Sequence, residues 1–376
     1  MPTFDRYLSG QLLAQFGFFS LVLVAVYWVN RALSLFDDLI AGGSGLGIFL
    51  EFTALALPNV IHVVLPVAAL VAALYGINRL AGDSELVVAQ TMGLGPWQLA
   101  RPVALFGLAV ALMVAVLGHF LVPASRGILA ERGQEVRRDV TARFLKEGEF
   151  LHPGDGISVY VREITEDGEL LGLFLQDRRD DGLRTVYTAE RALLVQTGGV
   201  PGLVMFEGLA QTLRTADSSL VVTRFEDFAY DLGALTGVEA SRRIDPREMP
   251  TPALLRADAA AQEASGREAG ALLFEGHSRF AEPLFALALP LLALGCLLQG
   301  GYSRLGLWRQ IAAAVVLSVL LRVAGNLSES VVRDAPGAWW AIYAAPLATL
   351  ALAWGLLARA AGARRRGGRR AAGAAA

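Results

Sequence analysis

The sequence predicts a membrane α-helical protein with six transmembrane helices and an extracytoplasmic β-jellyroll-like domain. The 376-residue chain is 54% hydrophobic and only 18% charged, whereas soluble domains carry about 25% charged residues. Its charges are unevenly placed, because 26 of the 35 acidic and 19 of the 33 basic residues lie within 126–279. Part of that stretch alternates apolar and polar residues, which is typical of half-buried strands. The charged stretch is therefore predicted to face water, and its flanks to cross a membrane.

Six apolar segments approach the length of about 20 residues that a helix needs to cross a bilayer. Three precede the charged stretch and three follow it. The second contains Pro58 and Pro66, which are expected to kink it. The last begins with Trp339, Trp340 and Tyr343, an aromatic group typical of a membrane interface. The six segments are 12–36, 46–78, 102–123, 283–299, 307–326 and 335–358.

These patterns predict four regions of the chain. The tail is expected to anchor the topology and contact anionic lipid, and no nucleic-acid partner is predicted. The regions are helices one to three with a cytoplasmic loop (1–125, loop 79–101), an extracytoplasmic domain whose β-jellyroll lies between flanking helices (126–279, jellyroll about 144–235), helices four to six (280–360) and an Arg-rich cytoplasmic tail (361–376).

Arginine placement predicts the orientation. With both termini in the cytoplasm, most arginines outside the charged stretch lie on the cytoplasmic side, as the positive-inside rule requires. We therefore expect a multi-pass protein of the inner (cytoplasmic) membrane with its large domain outside, which is the periplasm in a cell with two membranes. The first apolar run lacks a small-residue cleavage site and is predicted to remain as a span. The cytoplasmic arginines are Arg6, Arg79, Arg101, Arg304, Arg309, Arg359, Arg364, Arg365, Arg366, Arg369 and Arg370.

The region from about 156 to 232 is expected to form about seven short strands. Ile157, Val159 and Val161 alternate with polar residues, and Asp167-Gly168 is typical of a hairpin turn. This pattern is compatible with a β-sandwich, a jelly roll or an open barrel. We interpret the domain as a docking module rather than a catalytic one, because no Ser-His-Asp set stands out. The further expected strands are 171–175, 185–188, 192–196, 203–206, 210–213 and 220–228.

Several function classes are excluded by residue usage. Lys146 is the only lysine, so the chain contains no Gly-Lys-Ser/Thr phosphate loop and is not its own ATPase of that class. Cys296 is the only cysteine, and the four histidines form no His-Glu-x-x-His run. The spans contain no paired acids, Ser/Lys pair or His cluster. We therefore predict a non-enzymatic chain with no catalytic residue, metal site or bound cofactor.

The loop between the second and third spans is the most informative motif. Asp83 or Ser84 is expected to cap a helix of about nine residues, with Glu85 in its first turn, before Gly93, Gly95 and Pro96 end it. Its residues Leu86, Val87, Val88 and Met92 are too apolar for a solvated loop. A short apolar helix with an exposed acid is suited to coupling to a partner protein. A helix that lies at the membrane interface without a partner explains the same sequence pattern equally well.

At this loop the chain resembles the lipopolysaccharide-export permeases of the YjgP/YjgQ type. The resemblance rests on Ser84-Glu85-Leu86-Val87-Val88 followed by Met92-Gly93, on the three-plus-three arrangement, and on Glu275-Gly-His277-Ser-Arg279-Phe-Ala-Glu-Pro283-Leu at the fourth span. It covers essentially the whole chain. Residues 144–150 and 156–162 resemble the F-type subunit more than the G-type.

The resemblance implies a half-transporter that extracts lipopolysaccharide and passes it through its β-jellyroll. The implied partners are a G-type permease subunit in a heterodimer, a cytoplasmic ATPase dimer that holds ATP and Mg, a single-span C subunit and a periplasmic bridge protein. Glu85 matches the family acid that contacts the ATPase. Asp83, Leu86 and Met92 are predicted to contribute to the same coupling site.

Three arginines at comparable predicted depth are candidates for the lipid headgroup. Lipopolysaccharide is an anionic amphiphile, and Arg31, Arg126 and Arg322 are placed to bind its phosphates. Each has an alternative interpretation, because Arg31 has Asp37 and Asp38 nearby in sequence and Arg126 is also explained as an interface anchor. Arg322 has Glu329 and Asp334 as candidate partners.

One other function class stays open at this point. A membrane-anchored sensor or mechanotransmission protein would use the β-domain as input and the 79–101 loop as output. Six spans are more than such a sensor needs. The permease is expected to have a large apolar cavity between its helices, whereas the helices of the sensor are expected to pack without one.

Overall fold

Six helices in the part of the chain that the structure describes are long and apolar enough to cross a membrane, which confirms the six-helix prediction. The structure is a computed structural model that describes residues 3–40, 46–143, 147–154, 156–165, 169–179, 182–197, 200–215, 219–231, 243–300 and 307–374. The candidate spans are Phe4–Ser34, Leu46–Gly82, Pro96–Gln134, Ala269–Leu297, Trp308–Asp334 and Pro336–Gly362.

The helices follow one another with short interruptions. A π-helical turn at Leu117–Leu121 joins α4 to α5, and 3-10 turns lie at Pro246–Glu248 and Pro336–Tyr343. The helices are α1 (Thr3–Ile40), α2 (Leu46–Gly82), α3 (Glu85–Thr91), α4 (Pro96–Val116), α5 (Val122–Arg143), α6 (Thr251–Arg256), α7 (Ala259–Ser265), α8 (Ala269–Leu297), α9 (Trp308–Asp334) and α10 (Ala344–Ala374).

Several helices extend beyond the predicted spans. The fourth span begins at Ala269 rather than at Pro283, because Pro283 and Pro290 both lie inside α8. Pro58 and Pro66 likewise lie inside α2. The aromatic residues expected at the start of the sixth span occupy the 3-10 turn before α10. The apolar segments therefore located the six spans, but they were shorter than the helices that contain them.

The chain divides into two compact units. One contains residues 1–41, 45–129 and 244–376, and the other contains 42–44 and 130–243. Residues 244–268, expected as flanking helices of the extracytoplasmic domain, pack with the helical unit, where Leu254 and Leu272 share one small apolar core. Ala257 and Gly266, both with positive φ, end α6 and α7.

The core of the helical unit is formed around α2 and α8. In the most apolar stretch of each span, 67% of the residues are buried in α2 and in α8, but only 11% in α1 and 17% in α9. Near its first turns α1 contributes Leu8, Leu12 and Phe16 to this core. Its remaining length and α9 therefore present mostly exposed apolar side chains, which only lipid or another membrane protein can cover favourably.

The described part of the second unit forms a six-stranded antiparallel sheet in which each strand pairs with the next. Together with the six spans, this sheet agrees with the predicted membrane protein carrying a β-jellyroll-like domain. The strands are β1 (Phe150–Gly154), β2 (Ile157–Ile164), β3 (Glu169–Asp177), β4 (Leu183–Thr197), β5 (Val200–Arg214) and β6 (Ser219–Asp231).

The expectation of about seven short strands was wrong. The segments 185–188 and 192–196 belong to the single strand β4, and 203–206 and 210–213 belong to β5. The break expected in β5 is a local bend at Glu207, whose φ is 53°, and the ladder with β4 continues on both sides of it. β1 was not predicted. The turn expected at Asp167-Gly168 lies outside the described residues.

The sheet curls so that distant strands meet. Tyr187 of β4 stacks on Phe228 of β6 with ring centroids 5.3 Å apart, although β5 lies between these strands. Buried residues of β2 to β6, from Ile157 to Tyr230, form one continuous apolar core. An open sheet that folds over its own apolar face in this way encloses its core without a second sheet.

Candidate functional site

The turn between α2 and α3 sets the position of the predicted coupling helix. Ser84 has a φ of 61°, in the left-handed region, and its side chain makes no capping hydrogen bond. The Asp83 carboxylate lies 3.5 Å from Arg79 Nε, one helical turn earlier. Ser84 is therefore the N-cap residue, as one of the two expected candidates, but it caps α3 through its backbone and not through its side chain, and Asp83 pairs with Arg79 of α2.

The seven-residue α3 has one buried and one exposed face. Leu86 and Ala89, three positions apart, are 9% and 5% exposed, and Leu86 belongs to the core of the helical unit. Val88 and Met92 are 54% and 80% exposed, and Glu85 is exposed beside them. Glu85, Val88 and Met92 follow the i, i+3, i+7 spacing of one helix face. We call these three residues the α3 face.

The α3 face alters the predicted coupling set. Leu86, expected to contact a partner, packs instead inside the chain. Val88, which the sequence marked only as apolar, takes its place between Glu85 and Met92. An exposed apolar strip with a carboxylate at one end is suited to a groove on another protein that carries a cation at its rim. The assignment of these residues to ATPase contact stays a prediction.

The Glu85 carboxylate accepts hydrogen bonds from a residue that the sequence did not indicate. The hydroxyl of Tyr7, on the first turns of α1, lies 3.2 Å from Glu85 Oε2 and 3.4 Å from Oε1. The two residues are 78 positions apart in the chain. No periodicity or motif links residues at this separation, so only the fold reveals the contact.

Arg126 lies on α5 against α2 and is incompletely paired. Its Nη2 donates to Asn59 Oδ1 at 3.1 Å. Its Nε is buried without a hydrogen-bond partner among the described residues. A buried guanidinium with a missing partner is unfavourable unless an anion completes its coordination. Arg126 as a whole is half-buried, so both lipid contact and an interface anchor stay predictions.

Arg322 pairs with Glu282 rather than with Glu329 or Asp334, the candidates from the sequence. Its Nη1 donates to Glu282 Oε2 at 2.8 Å across α9 and α8, and its guanidinium lies 5.4 Å from the centroid of the Phe285 ring. Glu329 instead pairs with Arg333. Glu282 was missed because the fourth span was expected to begin at Pro283, whereas α8 begins at Ala269 and carries this acid inside the span.

Arg31 is exposed on α1. The side chains of its candidate partners Asp37 and Asp38 lie outside the described part of the structure. The structure gives Arg126 and Arg322 different partners, Asn59 of α2 and Glu282 of α8. The role of these arginines in lipid binding stays a prediction.

A fourth arginine, Arg279, is more deeply buried than the three candidates. It is 4% exposed and donates to Thr251 Oγ1 and to the carbonyl oxygens of Met249, Arg247 and Pro246. Glu275 lies 3.6 Å from its Nε. Because its donors are used within the chain, Arg279 fastens the 246–251 segment to α8 and is not available to a ligand.

A polar cluster in the β-domain joins the ends of β3 and β6. Arg179 donates to both carboxylate oxygens of Asp177, from Nε at 3.0 Å and from Nη2 at 2.7 Å. The hydroxyl of Tyr230 donates to Asp177 Oδ2 at 2.8 Å. The hydrogen bonds from Arg179 lower the pKa of Asp177 to about 2, and burial raises the pKa of Tyr230. The carboxylate is therefore ionised and the phenol protonated at neutral pH.

No group of three or more His, Cys, Asp or Glu is placed to hold a metal ion among the residues that the structure describes. Cys296 is buried in α8 as a free thiol. Among its described residues, the helical unit thus offers buried and paired arginines, the exposed carboxylate of Glu85 on α3 and large apolar surfaces.

Comparisons with known proteins agree with this architecture. A family model for the lipopolysaccharide export system permease LptF/LptG matches residues 6–359. An uncharacterized protein of Rickettsia prowazekii is 22% identical over 307 residues, which are 81% of this chain and 84% of that protein. The lipopolysaccharide export system permease protein LptG of Haemophilus influenzae is 25% identical over 46% of this chain and 48% of its own length.

LptG of Escherichia coli K12 is 27% identical over 201 residues, which are 50% of this chain and 52% of that protein. The matches to the two LptG proteins thus cover about half of this chain and about half of each relative. The family resemblance predicted from the sequence is confirmed, whereas the F-type or G-type identity is not resolved. The extent of the family match and the six apolar helices together place the chain as a multi-pass inner-membrane protein in the LptF/LptG family of lipopolysaccharide export permeases.

Proposed function

We propose that this chain is a permease subunit of an ABC transporter that extracts lipopolysaccharide from the inner membrane and passes it toward the outer membrane. Energy comes from a separate cytoplasmic ATPase dimer, which binds ATP and Mg, and the chain itself binds no cofactor and catalyses no reaction. The observation that carries this proposal is the α3 face, an exposed apolar strip with a carboxylate at its end on a helix whose other face is locked into the core.

The α3 face is suited to transmitting force. Leu86 packs into the same core as Leu8 and Leu12 of α1, so a push on α3 reaches the membrane helices through close-packed side chains. Val88 and Met92 supply apolar contact area, and Glu85 supplies a charge that a basic residue of the ATPase neutralises. Asp83, engaged with Arg79, contributes to the site by fixing the turn before α3.

The substrate contact is proposed at Arg126, with Arg31 and Arg322 as further headgroup contacts. The buried Nε of Arg126 lacks a partner among the described residues, and a lipid phosphate would satisfy it. Arg322 keeps Glu282 as its counter-ion and offers the remaining donors of its guanidinium. The mostly exposed apolar surfaces of α1 and α9 are proposed to meet the second permease subunit and enclose the acyl chains.

The arginine distribution supports both termini in the cytoplasm and the β-domain in the periplasm. In this orientation the curled sheet receives lipid from the membrane and meets the single-span C subunit and the periplasmic bridge protein. We further propose the F-type subunit, paired with a G-type subunit. The resemblance of 156–162 supports that choice, and 144–146 lie outside the described residues. Co-expression with an F-type or a G-type partner tests it, since only the G-type is expected to form a stable heterodimer.

The proposal is tested by co-purification with the ATPase and the second permease, followed by lipopolysaccharide-stimulated ATP hydrolysis in proteoliposomes. Wild type is expected to bind the ATPase, and Glu85→Ala to lose at least tenfold of the stimulation. Glu263→Ala removes an exposed glutamate of α7 and is the matched control, expected to behave as wild type. If wild type binds no ATPase, the export function is wrong and the membrane-anchored sensor takes its place.

A further inference from the structure

We propose that Tyr7 is a positioning residue that holds the Glu85 carboxylate and ties the start of α1 to α3. Displacement of α3 is then transmitted directly to α1. The inference rests on the proposed function, because it assigns Tyr7 a role in the coupling that Glu85 performs. It adds a second residue, on a different helix, to the coupling site.

The contact geometry is that of one donor shared by two acceptors. The Tyr7 hydroxyl lies 3.2 Å and 3.4 Å from the two carboxylate oxygens of Glu85. A tyrosine side chain has only two rotatable χ angles, so its hydroxyl is held more firmly than the end of a lysine or arginine would be. The next residue, Leu8, is 2% exposed and anchors this turn of α1 in the core.

The α3 helix does not orient Glu85 by itself. Ser84 leads into the helix in the left-handed region without a side-chain cap, and Glu85 is the first helical residue. Arg79, the cation at the end of α2, pairs with Asp83 instead of Glu85. A long exposed carboxylate at a helix start would otherwise sample several rotamers. The hydrogen bond from Tyr7 restricts these rotamers.

A neutral hydrogen-bond donor leaves the Glu85 carboxylate able to bind a cation of the partner, which coupling requires. A carboxylate has about four acceptor positions, so one phenolic hydrogen bond leaves room for an arginine or lysine of a partner. Tyr7 also leaves the full negative charge on Glu85, whereas a cation at this position would neutralise it before the partner arrives. Tyr7 therefore prepares Glu85 for the partner without competing with it.

The link adds to the packing of α1, a helix that buries little of its most apolar stretch. Only 11% of that stretch is buried, against 67% for α2. The fully buried residues Leu8, Leu12 and Phe16 lie in the first half of α1, and Tyr7 lies beside them. Displacement of α3 is thus passed to the span with the smallest buried fraction.

The test is a double-mutant cycle with Tyr7→Phe and Glu85→Ala in the full complex in proteoliposomes. Tyr7→Phe removes only the hydroxyl and keeps the ring, so the amount of assembled complex is expected to stay within twofold of wild type. Lipopolysaccharide-stimulated ATP hydrolysis is expected to fall about fivefold. In the Glu85→Ala background the same substitution is expected to change nothing further, which a general structural role for Tyr7 would not produce.

Tyr75→Phe is the matched control, because Tyr75 is a similarly exposed tyrosine of the helical unit that lies on α2, outside α1 and α3. It is expected to leave stimulation unchanged. If Tyr7→Phe has wild-type stimulation while Glu85→Ala loses it, the Tyr7 inference is overturned and the coupling role of Glu85 stands. Equal losses in the Glu85→Ala background and in wild type would also overturn it. If Glu85→Ala itself couples normally, the proposed coupling site and this inference both fail.

Should Tyr7→Phe assemble poorly, the rate of lipopolysaccharide-stimulated ATP hydrolysis is divided by the amount of assembled complex. A loss of about fivefold per assembled complex is still expected. A rate per complex equal to that of wild type would overturn the inference.

Discussion

The hydroxyl of Tyr230 lies 2.8 Å from Oδ2 of Asp177, although β4 and β5 separate their strands in the sheet. Arg179 completes the contact by donating to both carboxylate oxygens. The cluster therefore fastens the end of β3 to the end of β6 and stabilises the curl of the sheet. This side of the β-domain opens only if these hydrogen bonds break.

The cluster makes the stability of the β-domain dependent on pH. The pKa of Asp177 is about 2 in the folded chain, below its value of about 3.9 when unfolded. Because the folded pKa is depressed, the stabilisation is fully present above about pH 4 and is lost as pH falls from about 4 to about 2. We expect the cluster to contribute about 1 kcal/mol to the free energy of unfolding, after allowing for the partial exposure of Asp177 and Arg179 to solvent.

Hydrogen exchange of the full chain checks this prediction. Comparing wild type with Asp177→Asn at one pH cancels the intrinsic exchange rates. The amides at the ends of β3 and β6 are expected to exchange about fivefold faster in the variant at pH 6, and equally in the two proteins near pH 2. Equal exchange at pH 6 would show that the cluster does not stabilise the curl.

Much of the helical architecture could be predicted from the sequence, because each span is a long run with almost no charge. The strands were harder to predict. Glu190-Arg191 and Glu207-Gly208 are polar interruptions that resemble turns, yet the β4 and β5 ladder continues through them because Glu207 adopts a left-handed φ. Local sequence does not show whether such an interruption bends a strand or ends it.

The candidate site was predicted only in part. Glu85 and Met92 were predicted because an acid and exposed apolar residues in a short loop are informative without tertiary contacts. Tyr7 was missed because its contact with Glu85 spans 78 positions. The burial of Leu86 was missed for a similar reason, since the helix face that turns inward depends on the Ser84 reversal.

The two faces of α3 are expected to respond differently to substitution. Met92→Asp places a charge in the exposed apolar strip and is expected to reduce ATPase co-purification at least tenfold without lowering thermal stability, because Met92 is 80% exposed. Leu86→Ala is expected to destabilise the chain by about 2–3 kcal/mol, because it opens a cavity in the core. Thermal unfolding and co-purification of both variants check this. Equal loss of stability in the two would contradict the assignment of faces.

Removing one partner of the Arg322 and Glu282 pair is expected to destabilise the chain, whereas replacing both with apolar residues is expected to have little effect on stability. Arg322→Met leaves Glu282 without its counter-ion inside a span and is expected to destabilise the chain by about 2–4 kcal/mol. Arg322→Met combined with Glu282→Leu is expected to recover most of that loss. Thermal unfolding in detergent without lipid measures both. If the double variant is as unstable as Arg322→Met alone, the loss of stability does not come from an unpaired Glu282.

Arg126 is expected to contribute to lipid binding more than to folding. Its incompletely paired guanidinium gives little stability, so Arg126→Gln is expected to change the free energy of unfolding by less than about 1 kcal/mol. The increase in Tm on adding lipopolysaccharide is expected to shrink by at least half. Arg333→Gln, at an exposed arginine paired with Glu329, is the control and should keep the full increase. A full increase in Arg126→Gln would remove Arg126 from the lipid site.

The most direct test of the account is ATP-dependent release of lipopolysaccharide from proteoliposomes to the soluble periplasmic bridge protein. The vesicles contain this chain, a G-type permease, the C subunit and the ATPase. Wild type is expected to release lipid only when ATP is present, and Glu85→Ala to release less than a tenth as much. Release that is independent of ATP, or equal in wild type and Glu85→Ala, would contradict the claim that α3 couples ATP hydrolysis to lipid extraction.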